Sequence, residues 1–419
     1  MTKLNTYGKL RPATLGALLA LLLCMLPGIL WAAKTWDGGG ANELASNPTN
    51  WIGTVAPLVG DFVVLDTTSS KNMTWDLNLL VGSWTQAGYL GTVTVATVYG
   101  TAGFTNLAII GDCIISNGVW THSGPQATEV NRLSATIGGN LIVGPNGAIN
   151  VMNKGYQTRS GPGQLPGDGS SSYGGHGWSG GPCYGSILAP TNIGSGGRES
   201  YGGGAIRMRV SGTIRNDGLI CSDGGPSTYG GGSGGSIWLI AGRLIGERSG
   251  IIRANGSRAT DTYRAAGGGR IALVVTNAGA DFSLYAGSVL SFGGGGFAGA
   301  GGTIYKKRTA DRPGRGIVLV DNNGLAAPDY TEVPPGSPGN VPGEANFCPF
   351  YLTNAAILRL TNTYTVGDIY LQPPNTWLNL GFNTLNVKTF EHKVGPGNAT
   401  NVVNWGAIIW LIKGSSFKF

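Results

Sequence analysis

Apolar and polar residues alternate along this chain in short bursts, and the bursts recur. Ile206, Met208 and Val210 alternate with Arg207 and Arg209, a period of two that predicts a strand with one buried face. Ile237, Leu239 and Ala241 occupy the matching places in the next segment. Gly212 and Gly242 follow, then Ile214 and Leu244, then Gly218 and Gly250, then the pairs Ile220–Ser222 and Ile252–Ala254. The pattern predicts three strands per unit, each under about ten residues, joined at glycine corners. A polar Gly-rich excursion closes each unit. The anchors Ile206, Ile237, Ile271 and Ile304 are spaced by 31, 34 and 33 residues, a period that signals a solenoid.

The fold class expected from this pattern is all-β: a right-handed parallel β-helix with long Gly-rich loops on one side, an N-terminal cap and a C-terminal β block. Successive coils would stack about 4.8 Å apart with matching apolar residues piled inside. Earlier in the chain, 106–120 and 135–149 read as one sentence written twice. Ile110 aligns with Ile137, 27 residues on, and Ile115 aligns with Ile142. The expected divisions are 1–33 as a signal peptide, 34–100 as cap and first strands, and 101–308 as the β-helix. Residues 309–349 read as a strand and a Pro/Gly-rich linker, and 350–419 as C-terminal β coils. Trp36 and Trp51 are expected in the core of the cap, given the usual burial of tryptophan.

Composition narrows the picture. The chain has 419 residues with 74 Gly and 21 Pro, but only 12% charged and 41% hydrophobic residues. Disorder requires low hydrophobicity with high charge, and collagen requires a strict three-residue glycine period; neither is present. Lys3, Lys9 and Arg11 precede an apolar run from Leu15 to Leu30 that ends near Ala32 and Ala33, the form of a secretory signal. Removing those three residues from the 28 basic ones leaves 25 against 21 acidic, a net charge of +4. That is too mild to argue for nucleic acid. In the mature chain, Cys113, Cys183, Cys221 and Cys348 are far apart, which excludes zinc-type spacing; disulfides and small buried thiols both fit an exported protein. Cys221 is expected to face outward beside inward Ile220. The final apolar run, Ala407–Ile412, is too short to span a bilayer.

Candidate chemistry is sparse. His122, His176 and His392 have no partner at metal-ligand spacing and read as surface residues; no metal and no cofactor is implied. No GxGxxG match opens a helix, as a phosphate cradle requires. Gly175-His176-Gly177 resembles one motif of the polygalacturonases, but their Asp-Asp pair and Arg-Ile-Lys triplet are missing. Paired carboxylates for glycoside hydrolysis do not assemble from the sequence. The long segment between Lys154 and Gly204, and the later excursions, carry aromatic and basic residues. If the excursions leave on one side, Tyr173, His176, Trp178, Tyr201, Tyr229 and Tyr263 converge as a candidate ligand-binding set for a polysaccharide or cell-surface glycan. The competing expectation is that these aromatics pin the Gly-rich loops to each other. Arg159, Arg198, Arg258 and Arg264 lie in the same excursions.

Trp36-Asp37-Gly38, Asn50-Trp51, the run Gly230–Leu239, the run Gly267–Leu273 and Val320–Gly324 resemble the Gly-rich β-solenoid proteins that bacteria export to their surface, including adhesin-like and passenger-like proteins. The resemblance covers the whole mature chain. It implies a secreted or cell-surface protein with a structural or adhesive role and possible glycan binding. Such proteins share architecture more than activity. The pattern departs from them in showing no C-terminal barrel, anchor helix or sorting signal, so the expectation is either release or non-covalent retention, or a chain shorter than those of its relatives. The alternative carried from the β-helix architecture is a carbohydrate-active enzyme, a lyase or a hydrolase.

Overall fold

The computed structural model describes residues 31–167, 169–257, 264–295, 299–325, 329–333, 345, 348–372, 375–387, 402–403, 407–412 and 415–418. The proposed signal sequence up to residue 30, Arg258, Tyr263 and His392 lie outside the described residues. Within them there is no α-helix, and no helix long and apolar enough to cross a membrane.

The main body is a parallel β-helix built from three lines of strands. One line runs through Leu80–Val81, Leu107–Ile109, Leu133–Ile137, then Ala205, Ser236, Arg270 and Thr303 onward. A second runs through Phe62–Leu65, Ser83–Gln86, then the strands opening at Cys113 and Leu141, and on to Ile214. The third stacks Met73–Trp75, Thr92–Val95, Val119, Ala148, Leu219–Cys221, Ile251–Arg253 and Ser288–Leu290. The predicted ladder is present: Ile206 pairs with Ile237, Ile237 with Ile271, and Ile271 with Ile304. Ile220 pairs with Ile252 in the third line. All six isoleucines lie in one inner apolar cluster.

Two expectations are corrected at the corners. The strand Ala205–Asn216 has twelve residues and rounds its glycine corner with a register shift between Val210 and Thr213. Gly212 therefore marks a bulge, not a break. In the earlier coils Ile109, not Ile110, pairs with Ile137, and Ile115 pairs with Val143, not Ile142. The true repeat there is 28 residues, and alternation along a strand makes a one-residue slip a change of face.

The N-terminal coils are filled with tryptophan. Trp36, Trp51, Trp75, Trp84 and Trp120 form a buried edge-to-face series with successive centroids 5.3, 6.5, 5.1 and 5.1 Å apart. T-shaped pairs suit the ring quadrupole, so each coil is keyed to the next. Polar side chains tie the corners. Asp112 Oδ1 accepts from Asn140 N at 2.7 Å, and Asn140 Oδ1 accepts from Thr213 N at 2.9 Å. Asp223 and Asn255 repeat the arrangement onto Asn255 N and Phe292 N at 2.7 and 2.8 Å.

At the far end the stack changes direction. Ile317–Asp321 pairs antiparallel with Thr303–Lys307, placing Ile304 opposite Leu319 and Tyr305 opposite Val318. Ile304 faces the first core, while Tyr305, Val318 and Val320 belong to a second apolar cluster that includes Phe350, Leu358 and Leu385. Period-two alternation thus lets one sheet carry a core on each face. The second stack then continues in parallel through Pro349–Thr353 and Asp368–Leu371, with two further four-stranded sheets beside it.

Candidate functional site

Every long excursion leaves the main stack at the same corner, between the third line of strands and the first. The described residues of 151–204, 222–235, 254–257 with 264–269, and 291–295 with 299–302 all do so, and they pack against each other as a Gly-rich body beside the helix. Its segments are joined backbone to backbone: Gly194 N to Gly203 O at 2.8 Å, Gly203 N to Ser233 O at 2.9 Å, Gly234 N to Gly267 O at 3.1 Å and Gly268 N to Ala300 O at 2.9 Å. A Cβ on Gly202 would stand 1.9 Å from Gly194 O, and one on Gly267 1.8 Å from Gly175 O. Neither glycine has positive φ. The glycines are there because the backbones touch, not because the chain turns.

The interior of this body is polar and extensively hydrogen-bonded. Ser171 Oγ donates to Ser195 O at 2.6 Å, Ser170 Oγ to Arg264 O at 2.6 Å, and Tyr184 OH to Ile193 O at 2.7 Å. Tyr173 is fully buried, its hydroxyl 2.6 Å from Ser236 Oγ and its ring 4.6 Å from Tyr184. It offers no surface to a ligand, so its place in the candidate set is corrected: it is an internal pin. Arg270 is buried beside it, giving Nε to Tyr184 O at 2.8 Å and Nη1 to Thr303 Oγ1 at 3.0 Å.

On the outside of the body, three excursions do bring their side chains together. The Arg264 guanidinium lies 5.0 Å from the ring centroid of Trp178 and 3.4 Å from that of Tyr229. Arg198 lies 4.4 Å over the same Tyr229 ring. Thr228 Oγ1 donates to Glu199 at 2.7 Å at the edge of the group. Trp178 and Tyr229 are the two predicted site residues that meet here. Tyr201 is half-buried and contributes its carbonyl, which accepts from Gly225 N at 2.9 Å. Tyr263 lies outside the described residues.

The two arginines were absent from the predicted set, though the signal was in the sequence. Arg198, Tyr229 and Arg264 are separated by 31 and 35 residues, close to the coil period, so stacking places them side by side. Their presence also changes the chemistry. The Tyr229 ring is engaged by cations, a favourable contact with the ring quadrupole. The group gathers two guanidiniums against aromatic faces, with Glu199 Oε1 4.0 Å from Arg198 Nε at its edge, and guanidinium chemistry is suited to hydroxyl and carboxylate oxygens.

His176 belongs to a different cluster. Its Nδ1 lies 3.3 Å from Asp329 Oδ1, and its ring sits 4.9 Å from that of Tyr330. Arg359 lies 4.6 Å over Tyr330 and bonds its hydroxyl. Burial pushes the Asp329 carboxyl above its ordinary range, and His176 opposes the shift. The contacts join the Gly-rich body to the second stack. His122 is buried in the main stack, with Nδ1 2.8 Å from Ser123 O and Nε2 accepting from Ala205 N at 3.1 Å. Neither histidine is the surface residue the sequence suggested: His122 serves the backbone of Ser123 and Ala205 inside the stack, and His176 is covered by Asp329 and Tyr330 from a distant segment.

The four described cysteines, Cys113, Cys183, Cys221 and Cys348, are buried, with no disulfide among them. Cys221 was expected to face out. It does lie outside the inner apolar cluster, but Asp223 and Arg253, paired at 2.8 Å, stand against it and it has no exposed surface. Burial pushes the Cys183 and Cys221 thiols up to about 12, which removes them as nucleophiles near neutral pH. Among the described residues no group of three acids, histidines or cysteines is placed to hold a metal. No protein-family model, curated protein or solved structure matches this chain.

Proposed function

We propose that this chain is an exported, cell-surface β-solenoid protein with a structural or adhesive role, binding polysaccharide through the arginine–aromatic surface of its Gly-rich body. The observation that carries the reading is the meeting of Trp178, Arg264, Tyr229 and Arg198 from three separate excursions. The backbone beneath them is close-packed, so little order need be gained on binding. Shallow contacts repeated along a polymer add by avidity. Export is part of the same proposal: the secreted form should begin near Ala33 or Lys34 on N-terminal sequencing, and a mature chain starting at Met1 rules it out.

The binding test uses Trp178→Ala with Tyr229→Ala in the full secreted chain. Retention on a panel of immobilised polysaccharides should fall while the melting temperature stays within a few degrees. Retention unchanged in the folded double variant overturns the reading and leaves the aromatics as loop pins.

A second reading, a carbohydrate-active enzyme, has one observation in its favour: the buried Asp329 carboxyl, raised above its usual range beside His176. Release of reducing or unsaturated ends from a polysaccharide by the native chain, abolished in Asp329→Asn, would support it. Absence of any such release from the native chain across the same panel counts against it.

A further inference from the structure

The outward face of the first strand line is covered unevenly. At Ala272 and Tyr305 the second core lies on it, and Ile187 belongs to the same cluster, with Leu188 and Trp238 packed against it. One coil earlier the cover ends, and the face carries Arg207 and Arg209, with Arg207 opposite Ser134 and Arg209 opposite Thr136. Arg132 lies two residues before Ser134 on the same face. These three arginines stand on two adjacent coils, and among the described residues no carboxylate forms an ion pair with any of them. The nearby acid, Glu129, already accepts from Asn192 Nδ2 and Ile193 N at 3.0 Å each.

Two of the guanidiniums rest over aromatic rings. Arg207 lies 5.2 Å over the Trp238 ring, and Arg132 4.8 Å over Tyr99. Stacking of this kind fixes the plane of the cation and leaves its N–H edge for an acceptor. Arg132 Nε and Trp238 Nε1 are buried donors without a hydrogen-bond partner among the described residues. Burial, and then the charges of Arg132 and Arg209, push the Arg207 guanidinium below its ordinary range. Arg132 shares its charge with Glu129, whose carboxyl it pulls down against burial, but Arg207 and Arg209 gather like charge with no acid paired to either, which favours an anion placed beside them.

We propose that Arg132, Arg207 and Arg209 form an oxyanion-binding site on the coil wall, distinct from the Trp178–Tyr229 surface, which takes the carboxylate or sulfate groups of an acidic polysaccharide. This names the class of polymer in the function proposed above, through a different set of residues, and it rests on that reading for the polymer. By strand geometry Arg207 and Arg209 stand about 7 Å apart along one strand, and Arg132, level with Ala205, lies about 8 Å from Arg207 on the diagonal, a spacing that a chain with repeated charges can meet.

The test uses the full secreted chain and three immobilised polymers: polygalacturonate, dextran sulfate and neutral dextran. Arg207→Gln with Arg209→Gln should weaken binding to one or both charged polymers about tenfold or more, from the loss of charge-assisted hydrogen bonds, and should flatten its salt dependence. Arg207→Lys with Arg209→Lys, which keeps the charge, should retain part of the affinity and serves as the folding control. Loss on polygalacturonate alone assigns a carboxylate, and loss on dextran sulfate alone a sulfate. Unchanged affinity and salt slope in the folded Gln variant overturn the site. So does an equal loss toward neutral dextran, or binding to phosphatidylserine vesicles without binding to either charged polymer. If Trp178→Ala with Tyr229→Ala leaves binding intact while the Gln variant abolishes it, the Gly-rich surface is wrong and the arginine site stands.

Discussion

Ile109 lies directly against Ile137 in the coil stack, while its neighbour Ile110 points to solvent. Ile109 is 2% exposed and Ile110 41%. The pair defines the wall of the solenoid at one peptide bond. Replacing Ile109 with Asn should cost about 3 kcal/mol, from the lost apolar contacts and a buried amide without partners. Ile110→Asn should change stability by no more than about 0.5 kcal/mol, as exposed substitutions usually do. Denaturant midpoints of the two variants check the register, and equal midpoints contradict it.

The Gly-rich body depends on backbone contact in a way that one methyl group can test. Gly267→Ala puts a Cβ 1.8 Å from Gly175 O, and both partners are backbone, so neither can rotate away. The expected loss is about 3 kcal/mol or more, by overpacking that forces the two segments apart. Gly279 is the control. It has φ of +72° and no atom within 4 Å of an added Cβ, so Gly279→Ala costs only the left-handed backbone penalty, about 1 kcal/mol. A Gly267→Ala variant that melts with the native chain would show that the excursions are not packed as described.

Stability should fall in mild acid through His122. Burial lowers its pKa from 6.5 to about 4, so the folded protein holds it neutral. The unfolded chain takes up a proton below pH 6.5, and the folded chain does not until about pH 4. The stabilisation is therefore complete above the unfolded value and is lost as pH drops through that window. At 1.36 kcal/mol per pH unit the loss is about 3 kcal/mol. Unfolding free energies measured at pH 7 and pH 4 should differ more in the native chain than in His122→Gln. Parallel pH profiles would refute the assignment.

What the sequence determined by itself was the fold. The isoleucine ladder from Ile206 to Ile304, the three strands per coil and the common side of the excursions follow from alternation and period, because a stacked coil repeats its side-chain pattern wherever its backbone repeats. The one-residue error at Ile110 came from aligning similar words where flanking apolar residues allowed two registers; only the hydrogen-bond ladder chose between them. The same limit hid the second core. Nothing in Thr303–Lys307 announces that Ile304 and Tyr305 serve different cores, since that depends on the antiparallel return of Ile317–Asp321. The candidate site divided along the same line. Trp178 and Tyr229, both half-buried, were legible as aromatics on stacked excursions, and the spacing of Arg198 and Arg264 carried the same information. The burial of Tyr173, and the removal of His176 to Asp329 and Tyr330, were decided by chain segments more than 60 and 150 residues away. Side-chain direction in a glycine-rich segment is set by which backbone lies against it, and that contact exists only once the coils have closed.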